Sequence, residues 1–134
     1  MERKTLAPKP FPPADAPYVQ GVKVRGAEAL IFVSAQVARD EQGRFVGEGD
    51  PEEQTRQVIR NIERVLKEAA AGLADVVKVT VFITDISYFP AVVRARAELF
   101  GETLPASSFA VVTSLSHPEF LVAMEAIAVK GEKT

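Results

Sequence analysis

Apolar residues recur along this chain with two periods, and the switches between them mark its elements. Val22 and Val24 alternate with Lys23 and Arg25, Gly26-Ala27-Glu28 offers a turn, and Leu30 to Val37 reads as a buried strand, together a hairpin-like pattern. Asp40-Glu41-Gln42-Gly43 signals a second turn, followed by a short extended piece at Phe45-Val46. The period then becomes helical. Asp50 suits an N-cap, Pro51 the first helical position, and Glu53 completes a capping-box-like pair with Asp50. Val58, Ile62, Val65, Leu66 and Ala69 follow at helical spacing, and Gly72 is placed to end the helix in a left-handed conformation. Val76 to Thr84 is β-branched and nearly continuous in its apolar run, which predicts a strand buried on both faces. A second helix is predicted over Phe89 to Phe100, with Pro90 near its start and Gly101 just beyond its end. Strands near Ser108–Leu115 and Phe120–Lys130 close the chain around the loop Ser116-His117-Pro118-Glu119.

The order β-β-(β)-α-β-α-β-β predicts an α+β fold, a mixed sheet with two helices on one face. The last strand is apolar on both sides. Val122, Met124, Ala126 and Ala128 line one face, and Leu121, Ala123, Ile127 and Val129 the other. Two helices cover only one face, so a single chain leaves an apolar patch in water, and oligomerisation is expected to cover it. The 134 residues make one domain, with residues 1–13 as an extended N-terminal segment within a proline-rich stretch that runs to Pro17.

Composition narrows the function. A net charge of −2 gives no basic field toward nucleic acid or anionic lipid. The absence of cysteine removes disulfides, thiol nucleophiles and cysteine metal sites. No signal-peptide pattern and no apolar run of membrane-spanning length is read, so the expected address is cytoplasmic. Asn61 is the only asparagine, and tryptophan is absent as well, a composition that hints at thermostability.

Glu125 stands out chemically. It falls on the Leu121, Ala123, Ile127, Val129 face, where a carboxylate is costly unless paired. It is a candidate for acid/base work or water positioning; the alternative is a structural carboxylate satisfied by backbone or by an arginine across an interface. His117, the one histidine, sits in a turn-like context without triad partners or metal-ligand spacing and reads as an exposed loop residue. Ser34, Ser107, Ser108 and Ser114 lack a nucleophile-elbow setting. Arg56, Arg60 and Arg64 recur every four residues as a solvated stripe, with no aromatic pattern to make it a nucleic-acid face. No phosphate loop, dinucleotide fingerprint or metal motif occurs, and no cofactor is expected.

Several segments, in order, resemble the RidA/YjgF family. Ala16-Pro17-Tyr18-Val19-Gln20 is similar to its G-P-Y-S-Q, and the strand Leu30–Gln36 to one ending in S-G-Q. Gln54-Thr55 with Asn61-Ile62 matches its first-helix pattern, and Asp75-Val76-Val77-Lys78-Val79-Thr80-Val81-Phe82 follows D-V-V-K-x-T-V-F. Pro105-Ala106-Ser107-Ser108 sits at P-A-R-S, and Met124–Ala128 at I-E-A-I-A. The matches span roughly residues 14 to 130, nearly the whole chain.

The resemblance implies a chorismate-mutase-like six-stranded sheet, a barrel-like homotrimer, and small-molecule clefts between subunits. It implies cofactor-free hydrolysis of 2-imino acids such as 2-iminobutanoate and 2-iminopropanoate to 2-oxo acids and ammonia. By position, Tyr18, Ser34 and Ala35 line the cleft, and Glu125 positions water or shuttles protons. The departures point away from simple 2-imino acids. Ser107 replaces the arginine that clamps the substrate carboxylate, and serine offers no charged bidentate grip. Phe109 brings an aromatic ring to the same strand face as Ser107, Val93 stands where deaminating members often have asparagine, and Ala35 replaces the loop glycine. Arg44, Arg94 and Arg96 are the candidate replacement cations. The expected function is small-molecule binding with imine or enamine deaminase activity weakened or altered at Ser107; the alternative is a non-catalytic, regulatory metabolite-binding trimer. A ribonuclease or translation-inhibitor role is disfavoured by charge.

Overall fold

The computed structural model describes residues 1–11 and 17–131, so Ala16 of the resemblance and Pro12 and Pro13 of the expected extended segment lie outside the described residues. Helix α1 spans Pro51–Lys67. Its Asp50 cap accepts a hydrogen bond from the Glu53 backbone N–H at 3.1 Å. One face buries Val58, Ile59, Ile62 and Leu66 completely. The expected stop at Gly72 is not used. The Ala71 N–H reaches the Leu66 carbonyl and the Ala70 N–H that of Lys67, a Schellman arrangement that puts Ala70 at φ 54°. Alanine occupies the left-handed position because tertiary burial of Leu66 and Ala71 sets the exit.

The six strands do not form one sheet. Strands β1 (Glu2–Leu6) and β2 (Gly21–Arg25) pair antiparallel as a two-stranded ribbon. Strands β3 (Ala29–Gln36), β4 (Val76–Ile83), β5 (Ala106–Val111) and β6 (Val122–Lys130) form a mixed sheet in the order β3-β6-β4-β5. The expected β2–β3 hairpin is therefore absent. Gly26 (φ 72°) redirects the chain, and the Glu28 N–H bonds the Lys130 carbonyl, which starts β3 along β6 instead. The ribbon is held by Arg3, whose guanidinium donates to the carbonyls of Ala74 (2.8 Å), Val76 (3.0 Å) and Leu104 (3.1 Å). Helix α2 (Phe89–Phe100) carries the crossover between parallel β4 and β5. Both final strands are shorter than expected, as β5 stops at Val111 and β6 begins at Val122.

The fold is thus two helices on one face of a mixed sheet. On that face Val79, Val81, Val122, Met124, Ala126 and Ala128 are essentially inaccessible. Strand β4 alternates rather than being buried on both faces, since Lys78 and Thr80 point to the uncovered side and are half-buried. There Leu30 is 61% and Phe32 70% exposed on β3, whereas the β6 residues expected in water are covered within the chain, Ala123 and Val129 being buried and Leu121 and Ile127 half-buried.

Two hydrogen-bonded clamps explain motif residues that do no chemistry. Buried Gln54 donates to the carbonyls of Gly47 (3.0 Å) and Glu119 (2.8 Å) and accepts from the Leu121 N–H (2.8 Å). Gly47 has φ 73°, and a Cβ there would lie 3.1 Å from the Gln54 backbone nitrogen, so glycine is required. Asn61 donates to the carbonyls of Val37 (3.0 Å) and Arg39 (2.9 Å), fixing α1 to the segment after β3.

Candidate functional site

The pairing registers decide which candidate side chains share a face. Glu125 pairs with Thr80, Thr80 with Ser108, and Ile127 with both Phe32 and Lys78. Side chains of directly opposed residues lie on one face, so Glu125, Thr80, Lys78, Ser108 and Phe32 all stand on the open side. All of these but Ser108 border a depression of about 250 Å³ that Ser34 also lines. Lys78 Nζ donates to Ser108 Oγ at 2.8 Å. Ser34 and Ala35 are both exposed because the β3–β6 register slips between Val33 and Gln36. Such a bulge re-aims side chains beside a site. Gln36 Nε2 donates to the Ser34 carbonyl at 3.0 Å and closes the irregular turn. Glu125 is itself exposed, so within one chain it escapes the desolvation that its apolar neighbours imply.

A second group forms behind edge strand β5. Ser107 pairs with Val79 and Phe109 with Val81, both buried under the helices, so these two side chains face the helix layer and not Glu125. Ser107 and Phe109 are half-buried. Arg96 on α2 fills the space beneath them. Its Nη1 donates to Ser107 Oγ at 2.9 Å, its Nη2 to the Pro17 carbonyl at 3.2 Å, and its guanidinium lies 5.5 Å from the centre of the Phe109 ring. Phe89 meets Phe109 edge-on at 4.8 Å. Val93, three positions before Arg96, sits one turn along the same side of α2. Tyr18 is half-buried next to Pro17, and the Val19 N–H bonds the Pro105 carbonyl at 3.0 Å, placing this segment at the start of β5.

The candidate residues therefore separate into Ser34 and Glu125 on the open face, Ala35 in a groove beside α1 with Asn61 and Arg64, and Tyr18, Val93, Ser107 and Phe109 around Arg96 at the edge. Sequence reasoning missed Lys78, Thr80 and Ser108 as site residues. The signal for Lys78 and Thr80 is two polar letters at alternate positions of an otherwise apolar β4; Ser108, on β5, has no such signal.

The three candidate cations have different surroundings. Arg44 pairs with Asp40 at 3.2 Å, and Arg94 with Glu52 at 2.6 Å. Arg96 is fully buried, has no carboxylate partner among the described residues, and its Nε has no hydrogen-bond partner there. Burial pushes its pKa down to about 10, which leaves it charged at neutral pH. The Arg56, Arg60 and Arg64 stripe is ion-paired, Arg56 to Glu98 at 2.7 Å and Arg64 to Glu41 at 2.7 Å. His117 is exposed, with Nδ1 3.1 Å from Glu119 and its ring near Phe45 and Phe120. Among the described residues no cluster of three metal-ligating side chains occurs, and no helix is long and apolar enough to cross a membrane.

Comparison with known proteins places this geometry. The chain is 43% identical over 124 residues to the RutC family protein PYRAB12510 of Pyrococcus abyssi, covering 92% of this chain and 91% of that one. It is 33% identical over 128 residues to the 3-aminoacrylate deaminase RutC of Acinetobacter baylyi, covering 96% and 98%. The crystal structure of the Rid-family protein YyfB from Yersinia pestis superposes with a TM-score of 0.86 at 29% identity, covering 96% of this chain and 99% of that one. The family described as Endoribonuclease L-PSP matches residues 9–130. With the order β3-β6-β4-β5, two helices on one face and Glu125 on the other, the chain belongs to this L-PSP family, which includes the Rid and RutC proteins.

Proposed function

We propose that the chain binds a small carboxylate-bearing imine or enamine and hydrolyses it to an oxo compound and ammonia, with Glu125 moving the protons. The observation that carries this reading is Glu125 itself. It is exposed on the open face, opposite Thr80, beside the Ser34 bulge, in a depression large enough for a molecule of a few heavy atoms. The relative named 3-aminoacrylate deaminase acts, by that name, on an enamine that bears a carboxylate. In the proposed reaction Glu125 takes a proton from water as its oxygen adds to the C=N carbon. The same carboxyl returns that proton to nitrogen, giving the carbinolamine, and then relays the carbinol hydroxyl proton to nitrogen as the C–N bond breaks, leaving the C=O and ammonia; an enamine enters this cycle once a proton has moved from its nitrogen to its β-carbon to give the imine. No cofactor or metal enters the proposed cycle.

Ser107 and Glu125 belong to opposite faces of one sheet, which supports a cleft shared between chains, the edge of one meeting the open face of the next. The exposed Leu30 and Phe32 supply apolar area for that contact, and a closed trimer is the assembly proposed. Ser107 in place of an arginine supports the second reading, a trimer that binds a metabolite without turning it over.

Ammonia release from enzymatically generated 2-iminopropanoate and from 3-aminoacrylate tests the first reading. The native protein should accelerate release, and Glu125→Gln should slow it by about 100-fold or more. An inert native protein that still binds the corresponding oxo acid would favour the second reading.

A further inference from the structure

Arg96 is the least expected side chain in this molecule. A guanidinium taken from water needs an anion or a full set of acceptors to offset the loss of hydration. Arg94, two residues away, meets Glu52, and Arg56 on the facing helix meets Glu52 and Glu98. Among the described residues Arg96 meets only neutral groups: the Ser107 hydroxyl, the Pro17 carbonyl and the Phe109 ring. A ring and two neutral acceptors recover part of the hydration energy and leave Nε without a partner.

The hydrogen bond to Ser107 has a direction. Arginine has no acceptor, so Ser107 Oγ must accept from Nη1, and its own O–H is free to donate. Ser107 is half-buried at the sheet edge, whereas Arg96 is covered. An oriented O–H donor thus sits at the half-buried sheet edge with a positive charge directly behind it.

We propose that Ser107 and Arg96 form a two-layer anion anchor, with the Ser107 hydroxyl donating to a ligand carboxylate and Arg96 orienting that hydroxyl and supplying the charge from behind. Arg96 is a positioning residue in this arrangement, since the ligand meets it through Ser107. The cation expected of β5 is displaced one layer inward onto α2. One guanidinium balances one negative charge, which suits a monocarboxylate. A phosphate, at close to two charges, would leave charge unbalanced against the rings of Phe89 and Phe109. The inference rests on reading the Ser107 edge as part of the ligand cleft, and it is independent of turnover.

The test uses the full chain and an unreactive probe, 2-oxobutanoate, followed by the arginine Nε–H signals in ¹H–¹⁵N spectra, with Arg96 assigned from Arg96→Lys. Saturable movement of the Arg96 signal is expected with 2-oxobutanoate, and none with butanone. Affinity should fall by about tenfold or more in Arg96→Met, by less in Ser107→Ala, and recover in part in Arg96→Lys. Arg96→Met should melt no lower than the native protein, because a buried unpaired charge is replaced by an apolar side chain. Unchanged affinity in both Arg96 variants would overturn the proposal, as would binding of inorganic phosphate in preference to 2-oxobutanoate. Asp15, two residues before Pro17 in sequence, supplies a further check. Movement of the Arg96 signal by Asp15→Asn without ligand would reveal a counter-ion within the chain and overturn the anchor. If 2-oxobutanoate binds through Arg96 while no imine is hydrolysed, the anchor stands and the enzymatic reading fails.

Discussion

The two faces of the four-stranded sheet come from the same strands and end in different states. Under the helices, Val79, Val81, Met124 and Ala126 lie at 0–2% exposure among Ile59, Ile62 and Leu66. On the other side Leu30 and Phe32 stand mostly in water beside Lys78, Thr80 and Glu125. Apolar burial on the helix side is complete in one chain, so those residues serve stability. Apolar residues on the open side gain nothing until something covers them, and they are mixed with polar groups that a packed core would not admit. The charged groups invert this order. The open face holds its charges in water, whereas the helix side buries Arg96, the one buried charged side chain among the described residues.

Substitutions on the two faces should therefore have unequal consequences. Ile59→Ala is expected to cost about 2–5 kcal/mol, read as a lowered urea midpoint. Phe32→Asp should leave the far-UV circular dichroism of a folded chain while lowering the solution mass to that of a single chain. Loss of fold in Phe32→Asp would break the comparison, because the open face would then be part of the chain's own core. Gln54→Ala removes two donors and an acceptor from three backbone groups and should cost about 1–3 kcal/mol, measured in the same unfolding experiment. Ala70→Gly should stabilise by about 1 kcal/mol, since glycine adopts the left-handed backbone without strain. It lies away from both faces and controls for general effects of substitution.

The smallest effect is acid sensitivity. Hydrogen bonding from Arg94, then its charge and the contacts of Arg56, hold the Glu52 carboxyl below its ordinary value of 4.5. Its folded pKa is depressed, so its contribution is present above that value and is lost as pH falls through the folded pKa. Glu52→Gln should make unfolding less pH-dependent below pH 4.5, seen in melting temperatures across an acid series. The pair is exposed, and a change of a degree or two is the expected scale, about what a surface ion pair contributes.

Local signals made much of this legible in advance. Asp50, Pro51 and the apolar spacing of α1 act within a few residues, and the helix forms where they place it. The doubly apolar β6 pointed to a second apolar face because alternation in a strand is a geometric rule, but the residues left in water are Leu30 and Phe32 of β3, while Ala123 and Val129 of β6 are buried within the chain. The misreadings have non-local causes. β2 pairs with β1 rather than β3 through Arg3 contacts 71 to 101 residues away in sequence, which no turn signal encodes. Ala70 takes the left-handed position expected of Gly72, because Leu66 and Ala71 are buried. Lys78 and Thr80 lie in a segment that reads as nearly continuous in its apolar run and as buried on both faces. Ser107 and Phe109 do share a face, as their spacing requires, but only the register with Val79 and Val81 shows that it is the face opposite Glu125. Arg96 is one of three candidate replacement cations in the sequence and is separated from Arg44 and Arg94 only by its surroundings.

A site shared between chains is tested most directly by mixing two defective proteins. Glu125→Gln removes the open-face carboxylate, and Ser107→Asp puts a carboxylate where the ligand's should bind. Each alone should be inactive in imine hydrolysis. Co-expressed and assembled together, they should recover about a quarter of native activity, because a random mixture completes that share of clefts between one intact edge and one intact face. Mixed assemblies of native mass that remain inactive would contradict the shared cleft, since each chain would then have to supply both groups to its own site.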